Sequence, residues 1–491
     1  MRHSSVLHVL GWLIGVLAVA MAVPILVALA YTEVEAVRAF MIGAAVTGFS
    51  GGALIMAFRD VPSAVTRSDM LLVLVLGWSV LPAFAAFPFA ALDAPAGTTS
   101  SYFEAVSGLT STGATLLTGR LDGLPRAVLA WRATLQWLGG LGTLVAAMAL
   151  LTPLGIGGMG IGGMAFGGAS LARGDATSLI ARLRQTFGQT VGLYAGVTIA
   201  CIILVWVGGI PGFDAFCLSL STVSTGGFMV RDGALSSYDA PFGVLILTAF
   251  MLIGATSFAT HRAAVRGNFG GYRANPEAGY LAAIILMAGG LLSLTIFFGG
   301  AGGPGALASG FFLAISMATT SGFLLDGPDI LSSVPPVLAL AVALIGGSTL
   351  STAGGLKLMR LSLLLRQAAR ELKRLAHPHG IIPTNYGDRA IDISMMKGIW
   401  VFFILYVFCL IVIALLVGAT GVGTVASLGA AASALSNTGP AYLIVEAVIP
   451  GAEPYAAFPA QAKWLLSAGM IVGRIEVIAV LSLLHVAYWR R

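Results

Sequence analysis

Apolar residues run in blocks of twenty or more along this chain, and polar positions fall between the blocks rather than alternating within them. A continuous run of that length suits a helix crossing the hydrocarbon core of a bilayer, which takes about 20 residues. The pattern predicts ten long spans, at roughly 6–31, 36–58, 70–92, 127–152, 186–208, 241–260, 278–299, 335–366, 395–418 and 463–488. Four semi-polar stretches, 98–118, 213–230, 307–325 and 423–443, sit between pairs of spans and are too short and too hydroxylated to cross.

The four stretches read YFEAVSGLTSTGATLL, FDAFCLSLSTVSTGGFMV, ASGFFLAISMATTSGFLLDG and TVASLGAAASALSNTGPAYLI. Each predicts a short amphipathic helix ending in a hydroxyl-rich turn closed by glycine: Gly113, Gly226, Gly322 and Gly439. Recurrence at similar intervals, with an apolar span before and after each, is the signature of an internal repeat. The predicted fold is an all-α polytopic membrane protein: four span–pore-loop–span repeats around a pseudo-fourfold pore, plus two N-terminal transmembrane helices. The segments are 1–69 for the extra helices, 70–152 for repeat 1, 153–260 for a connector and repeat 2, 261–366 for repeat 3, and 367–491 for a cytoplasmic loop and repeat 4.

Composition agrees. Hydrophobic residues make up 58% of the 491 and charged residues 9%, where a soluble domain carries about a quarter charged. The first block, from about Val6 to about Tyr31, is too long for a signal-peptide core and lacks a small-residue cleavage site, so it is kept as a mature helix. With Arg2 inside, eighteen of the 26 Lys and Arg fall on the inner side and six outside, leaving Lys357 and Arg474 in the membrane. The positive-inside rule then places both termini in the cytoplasm. The net charge of +6 is a product of topology, and no nucleic-acid partner is needed to explain it. Twelve of the 20 acids fall outside against seven inside, which would concentrate cations at the outer face. Cys201, Cys217 and Cys409 have no paired spacing, so neither a disulfide framework nor a zinc site is expected. His377 and His379 flank Pro378 in a basic loop, read as solvated, and His485 is read as interfacial. No span carries a nucleophile–base pair or paired acids, which argues against an intramembrane enzyme.

Polar turns at membrane depth need a reason, since non-helical backbone is tolerated there only when protein buries it or a watery cavity solvates it. Four such turns on one axis would offer four sets of carbonyls able to replace the hydration shell of a cation. Glycine permits the torsions that aim consecutive carbonyls inward, and the negative C-terminal end of each short helix favours a cation.

On these motifs the chain resembles the Trk/Ktr/HKT superfamily of potassium transporters, most closely its bacterial TrkH branch. YFEAVSGLTSTGAT matches nearly word for word, STVSTGGF, TTSGF and SNTGP resemble the other three filters, and the two extra N-terminal helices favour TrkH over KtrB. The resemblance implies K⁺ uptake across the bacterial inner membrane, with K⁺ as the transported ion and no cofactor in this chain. It implies filter positions Ser111, Thr112, Gly113; Ser224, Thr225, Gly226; Thr320, Ser321, Gly322; and Asn437, Thr438, Gly439, acting mainly through backbone carbonyls. In this superfamily serine at the first glycine goes with Na⁺ transport, so Gly113 leans toward K⁺; a Na⁺-permeable or Na⁺-coupled member is the alternative. It also implies a homodimer, gated by a cytosolic TrkA-type nucleotide-binding partner, for which the basic loop 366–397 is a candidate docking surface.

Two further features lie inside predicted spans. GGSTLSTAGGLK, Gly346 to Lys357, cannot be a regular lipid-facing helix; it is either a small-residue packing face or, as the resemblance implies, an intramembrane gating loop with Gly346, Gly347, Gly354, Gly355 and Lys357. Arg474 is a charge within the last span, and such charges face a cavity or a partner. The resemblance places it at the pore below the filter, with a salt bridge to another span as the alternative; Glu476, two residues on, is a poor direct partner. The chain departs from the family in its glycine-rich connector 155–174, where Gly155, Gly157 and Gly160 match a dinucleotide fingerprint without the strand such a site needs. It also has Ala441 after the fourth turn, where glycine is common.

Overall fold

The computed structural model describes residues 4–59, 67–151, 179–300, 302–377, 385–386, 389–390 and 393–484. The connector 155–174, His379, His485, both termini and part of the loop 366–397 lie outside the described residues. The protein is helical nearly throughout. Its one described strand pairing is a two-residue antiparallel ladder, Asn385–Tyr386 with Arg389–Ala390.

Seven described helices are long and apolar enough to cross a membrane: Ser4–Ala30, Val34–Ala57, Ser68–Ala91, Arg126–Leu151, Leu183–Val207, Pro276–Phe298 and Met395–Gly418. The other three predicted spans are broken, each in the second half of a repeat. The span expected at 241–260 is two helices, Pro241–Ala255 and Phe258–Val265, bent by 101°. Thr256 adopts an extended conformation at the break. The carbonyls this frees at Gly254 and Ala255 accept from the amides of Thr352 and Ser348, so the repeat-3 loop caps the broken helix of repeat 2. The span expected at 335–366 is Pro336–Ile345, a non-helical stretch, and then Leu358–Ala376. This last helix runs past residue 366 because its sequence turns polar, RQAARELKRLA, and leaves the apolar layer without needing to stop. The last span breaks at Glu476, whose φ is 79°, between Ala460–Ile475 and Val477–Leu484.

Each repeat carries one short helix between its spans: Thr98–Leu109, Gly212–Val223, Gly303–Ala318 and Thr424–Leu435. The two N-terminal helices pack on each other through glycines. A Cβ on Gly51 would lie 2.9 Å from the Gly15 amide and 3.0 Å from the Gly11 carbonyl, the close backbone approach that small residues permit between membrane helices. Their connecting turn also serves repeat 1. The Glu33 carboxylate accepts from the amides of Arg126 (2.6 Å) and Ala127 (3.0 Å), capping the N-terminus of the repeat-1 second helix. Glu33→Ala should cost about 1 kcal/mol, as loss of a side-chain cap does. A thermal-unfolding midpoint equal to wild type in detergent would show that the cap contributes nothing.

Candidate functional site: a ring of four turns

All four short helices end in the same way. A residue in the left-handed region follows each cap: Ser111 (φ 52°), Thr225 (54°), Thr320 (55°) and Asn437 (54°). The next amide returns to the carbonyl five residues back: Thr112 to Ser107, Gly226 to Ser221, Ser321 to Ser316 and Thr438 to Ser433. This is the Schellman closure, which satisfies the carbonyls a helix end would otherwise leave orphaned. The turns therefore align as a first position (Ser111, Thr225, Thr320, Asn437), a second (Thr112, Gly226, Ser321, Thr438) and a third (Gly113, Gly227, Gly322, Gly439).

In repeat 2 this register differs by one residue from the sequence expectation. Ser224 is the helix cap, its Oγ donating to the Leu220 carbonyl at 2.8 Å. Thr225 and Gly226 take the first and second positions, and Gly227 (φ 77°) matches Gly113 (79°) and Gly322 (75°). The Gly226-Gly227 pair permits either alignment by eye. The serine six residues before each third position, Ser107, Ser221, Ser316 and Ser433, settles it.

The turns close into a ring through backbone contact. A Cβ on Gly113 would lie 2.0 Å from the Gly226 carbonyl oxygen, and one on Gly227 would lie 2.0 Å from that of Ser321. One on Gly322 would meet Pro440 at 2.8 Å, and one on Gly439 would meet the Ala114 amide at 2.1 Å. Repeat 4 is tied back to repeat 1 by the Gly439 amide, which donates to the Thr112 carbonyl at 2.6 Å. At Gly113, Gly227 and Gly322 positive φ and lack of space coincide, so only glycine fits. At Gly439 space alone demands it.

The turn carbonyls are not all paired: at the second and third positions those of Thr112, Gly226, Thr438 and Gly439 have donors and those of Ser321, Gly113, Gly227 and Gly322 have none among the described residues. Those of Thr112 and Gly226 accept protein donors, the Gly439 amide and Gln136 Nε2 respectively. Among the described residues nothing donates to the first-position carbonyls of Ser111, Thr225, Thr320 and Asn437, although all four residues are buried. All four third-position glycines line one cavity of ≈ 80 Å³, together with Arg132, Arg231 and Asp232.

A separate, smaller cavity of ≈ 20 Å³ is walled by Gly354, Gly355, Lys357, Arg474 and Glu476, together with Leu74, Trp78 and Thr143. That is room for about one water. The stretch Gly346–Lys357 is a non-helical loop that reaches three repeats from beneath. Thr352 Oγ1 donates to the carbonyls of Val223 (3.1 Å) and Gly254 (2.9 Å). The Gly354 amide donates to Thr320 Oγ1 at 2.8 Å. A Cβ on Gly354 would strike the Ser436 carbonyl at 2.1 Å, and one on Gly346 would strike the Gly354 carbonyl at 2.1 Å, so the loop is pressed on repeat 4 and on itself. Gly347 packs on Ala255, Gly355 on Gly346, and Lys357 Nζ donates to the Ala353 carbonyl.

Arg474 completes the set. Its Nη1 donates to the Thr352 carbonyl at 2.8 Å and its Nη2 to Ser111 Oγ at 3.2 Å, linking the loop to repeat 1. Among the described residues no carboxylate pairs with it. Glu476 pairs instead with Arg360 at 2.7 Å, both buried. The loop and Arg474 together touch all four turns or their helices.

Sequence reasoning missed the charge behind the first turn. Buried Glu104 holds buried Arg132 at 2.9 Å and accepts from Thr115 Oγ1 and the Leu116 amide; Arg132 also donates to Thr115 Oγ1 and the Met229 carbonyl. The signal, an acid in one predicted helix and a base in the next, could have been paired on paper but carried no spacing to recognise.

Comparison with known proteins agrees with this architecture. The family profile described as "TrkH: Cation transport protein" matches residues 36–268 and 304–488. The chain is 34% identical over 494 residues to the Trk system potassium uptake protein TrkH of Salmonella typhimurium, covering 100% of both chains. It is 34% identical over 497 residues to the TrkH of Halomonas elongata, again at 100% coverage of both. The crystal structure of the potassium transporter TrkH from Vibrio parahaemolyticus superposes with a TM-score of 0.89 at 32% identity, with 100% of each chain covered.

Removing one member of the buried pair tests whether it supports the turn. Glu104→Gln leaves Arg132 unpaired and should cost about 3–5 kcal/mol, whereas Glu104→Gln with Arg132→Gln should recover part of that loss. Thermal midpoints read both, and a single variant as stable as wild type would contradict the assignment.

Proposed function

The chain belongs to the TrkH family of cation transport proteins, and from that premise we propose that it carries K⁺ into the cell through the ring of four turns. One observation carries the reading: four first-position carbonyls, buried at membrane depth, with no donor among the described residues. A buried carbonyl without a partner is costly and rare. A partly dehydrated cation on the axis would satisfy all four at once, and the C-terminal ends of four short helices add negative potential there. The likeness to proteins described as potassium uptake proteins supports K⁺ as the ion.

The loop Gly346–Lys357 and Arg474 act as the gate in this reading. The loop occupies the inner side of the ring, and Arg474 sets a buried positive charge against Ser111, a barrier to a cation leaving inward. Opening requires the bonds from Thr352, Gly354 and Arg474 to release. We further assign the protein to the bacterial inner membrane with both termini in the cytoplasm, working as a homodimer with a cytosolic TrkA-type nucleotide-binding subunit. Support for the partner comes from the relatives' description as parts of a Trk system. The exposed basic end of Leu358–Ala376, with Lys373 and Arg374 in its last turn, offers a surface continuous with the gate loop through one helix.

In proteoliposomes, Rb⁺ uptake should persist in excess Na⁺; equal competition by Na⁺ would favour a Na⁺-permeable transporter. Arg474→Gln should raise Rb⁺ influx per mole of protein severalfold, and influx at or below the wild-type rate would remove the barrier role.

A further inference from the structure

Three of the four turns carry a hydroxyl at the second position, and each hydroxyl anchors the turn to the cap of its own short helix. Thr112 Oγ1 lies 2.7 Å from Thr110 Oγ1, Ser321 Oγ lies 2.9 Å from Thr319 Oγ1, and Thr438 Oγ1 donates to the Ser436 carbonyl at 3.4 Å. Repeat 2 has Gly226 there, and its cap hydroxyl on Ser224 turns back to its own helix. The Gly226 carbonyl belongs to the peptide joining Gly226 to Gly227. With glycine on both sides, this is the peptide in the ring with the least steric resistance to rotation.

A side chain from another repeat fills the gap. Gln136, fully buried on the helix Arg126–Ala146 of repeat 1, places its carboxamide where a Gly226 side chain would stand: a Cβ there would lie 2.3 Å from Gln136 Cδ. Nε2 donates to the Gly226 carbonyl at 2.8 Å, and Oε1 accepts from the Phe228 amide at 3.4 Å. One partner is an acceptor and the other a donor, so the orientation of the carboxamide follows from the pairing. The backbone carbonyl of Gln136 accepts from Ser111 Oγ at 3.3 Å, so the same residue also touches the first position of repeat 1.

We propose that Gln136 is a positioning residue for ion selection, supplying in trans the anchor that the second-position hydroxyl supplies in the other three turns. It grips the Gly226-Gly227 segment at a carbonyl and at the amide two residues on, and so holds that peptide in one orientation and keeps the adjoining first-position carbonyl of Thr225 in the ring. Rotation of the peptide would carry the Thr225 carbonyl with it and open the ring on one side. The inference rests on the K⁺ reading above and names the residue that keeps repeat 2 in register with the other three.

The test uses the full-length protein in proteoliposomes, reading Rb⁺ over Na⁺ selectivity alongside the thermal midpoint. Gln136→Leu, which keeps bulk but removes both hydrogen bonds, should lower selectivity about tenfold, the loss expected for two modest hydrogen bonds. Gly226→Ser alone should also impair selectivity, because its Cβ collides with Gln136. Gly226 does not hold a positive φ, so serine is tolerable there once the space is cleared. The double variant Gln136→Ala with Gly226→Ser should return selectivity to within about threefold of wild type, which a packing role for Gln136 would not produce. A selective wild type with an equally selective Gln136→Leu overturns the proposal, as does a lowered midpoint with unchanged selectivity or a double variant no better than Gln136→Leu. A wild type that does not distinguish Rb⁺ from Na⁺ contradicts the K⁺ reading itself, and the assignment of Gln136 falls with it.

Discussion

A backbone carbonyl inside a bilayer must find a partner, and among the described residues the first-position carbonyls of all four turns have none. Everything around the ring can be derived from that constraint. The Schellman closures satisfy one carbonyl near the end of each short helix, and the first-position carbonyls are the group left without a donor, among the described residues, in all four repeats alike. The closeness of Gly113 to the Gly226 carbonyl, of Gly227 to that of Ser321, and of Gly439 to Ala114 leaves no room for a Cβ at these glycines. The second helices of repeats 2, 3 and 4 are broken, and the loop 346–357 repairs the break in repeat 2 by bonding Gly254 and Ala255. In an aqueous protein such turns would cost little. At this depth each one has to be answered by a named neighbour.

The ring is fourfold, but what surrounds it is not. Repeat 3 contributes the loop beneath the ring and repeat 4 contributes Arg474, while repeat 1 supplies Gln136 to its neighbour and buries the Glu104–Arg132 pair behind its own turn. These asymmetric pieces carry the buried charge. The symmetric piece carries only backbone. In the proposed function that division lets geometry common to all repeats hold the ion and features unique to one repeat regulate its passage.

Much of this was legible in the sequence because the membrane makes polarity conspicuous. Four hydroxylated runs ending in glycine stood out against apolar blocks, and their repetition predicted the fold; in repeat 2 the expected Ser224, Thr225 and Gly226 fall one residue before the turn that Thr225, Gly226 and Gly227 form. The loop 346–357 was visible for the same reason. Hydropathy was blind to the breaks at Ser257 and Glu476, since a bent span is as apolar as a straight one. Glycine at both 226 and 227 made the repeat-2 register ambiguous, and only the preceding serines resolve it. Gln136 left no pattern at all: a single amide in an apolar helix gains meaning only when the neighbouring repeat is folded against it.

The most direct test of the account is where a heavy K⁺ analogue sits. Crystals grown in Rb⁺ should show one anomalous peak on the axis of the ring, in coordination distance of the carbonyls of Ser111, Thr225, Thr320 and Asn437, and that peak should vanish when Na⁺ replaces Rb⁺. An axis empty of Rb⁺ in a protein that still takes it up, or a peak away from these four carbonyls, would contradict the claim that they are the ion site.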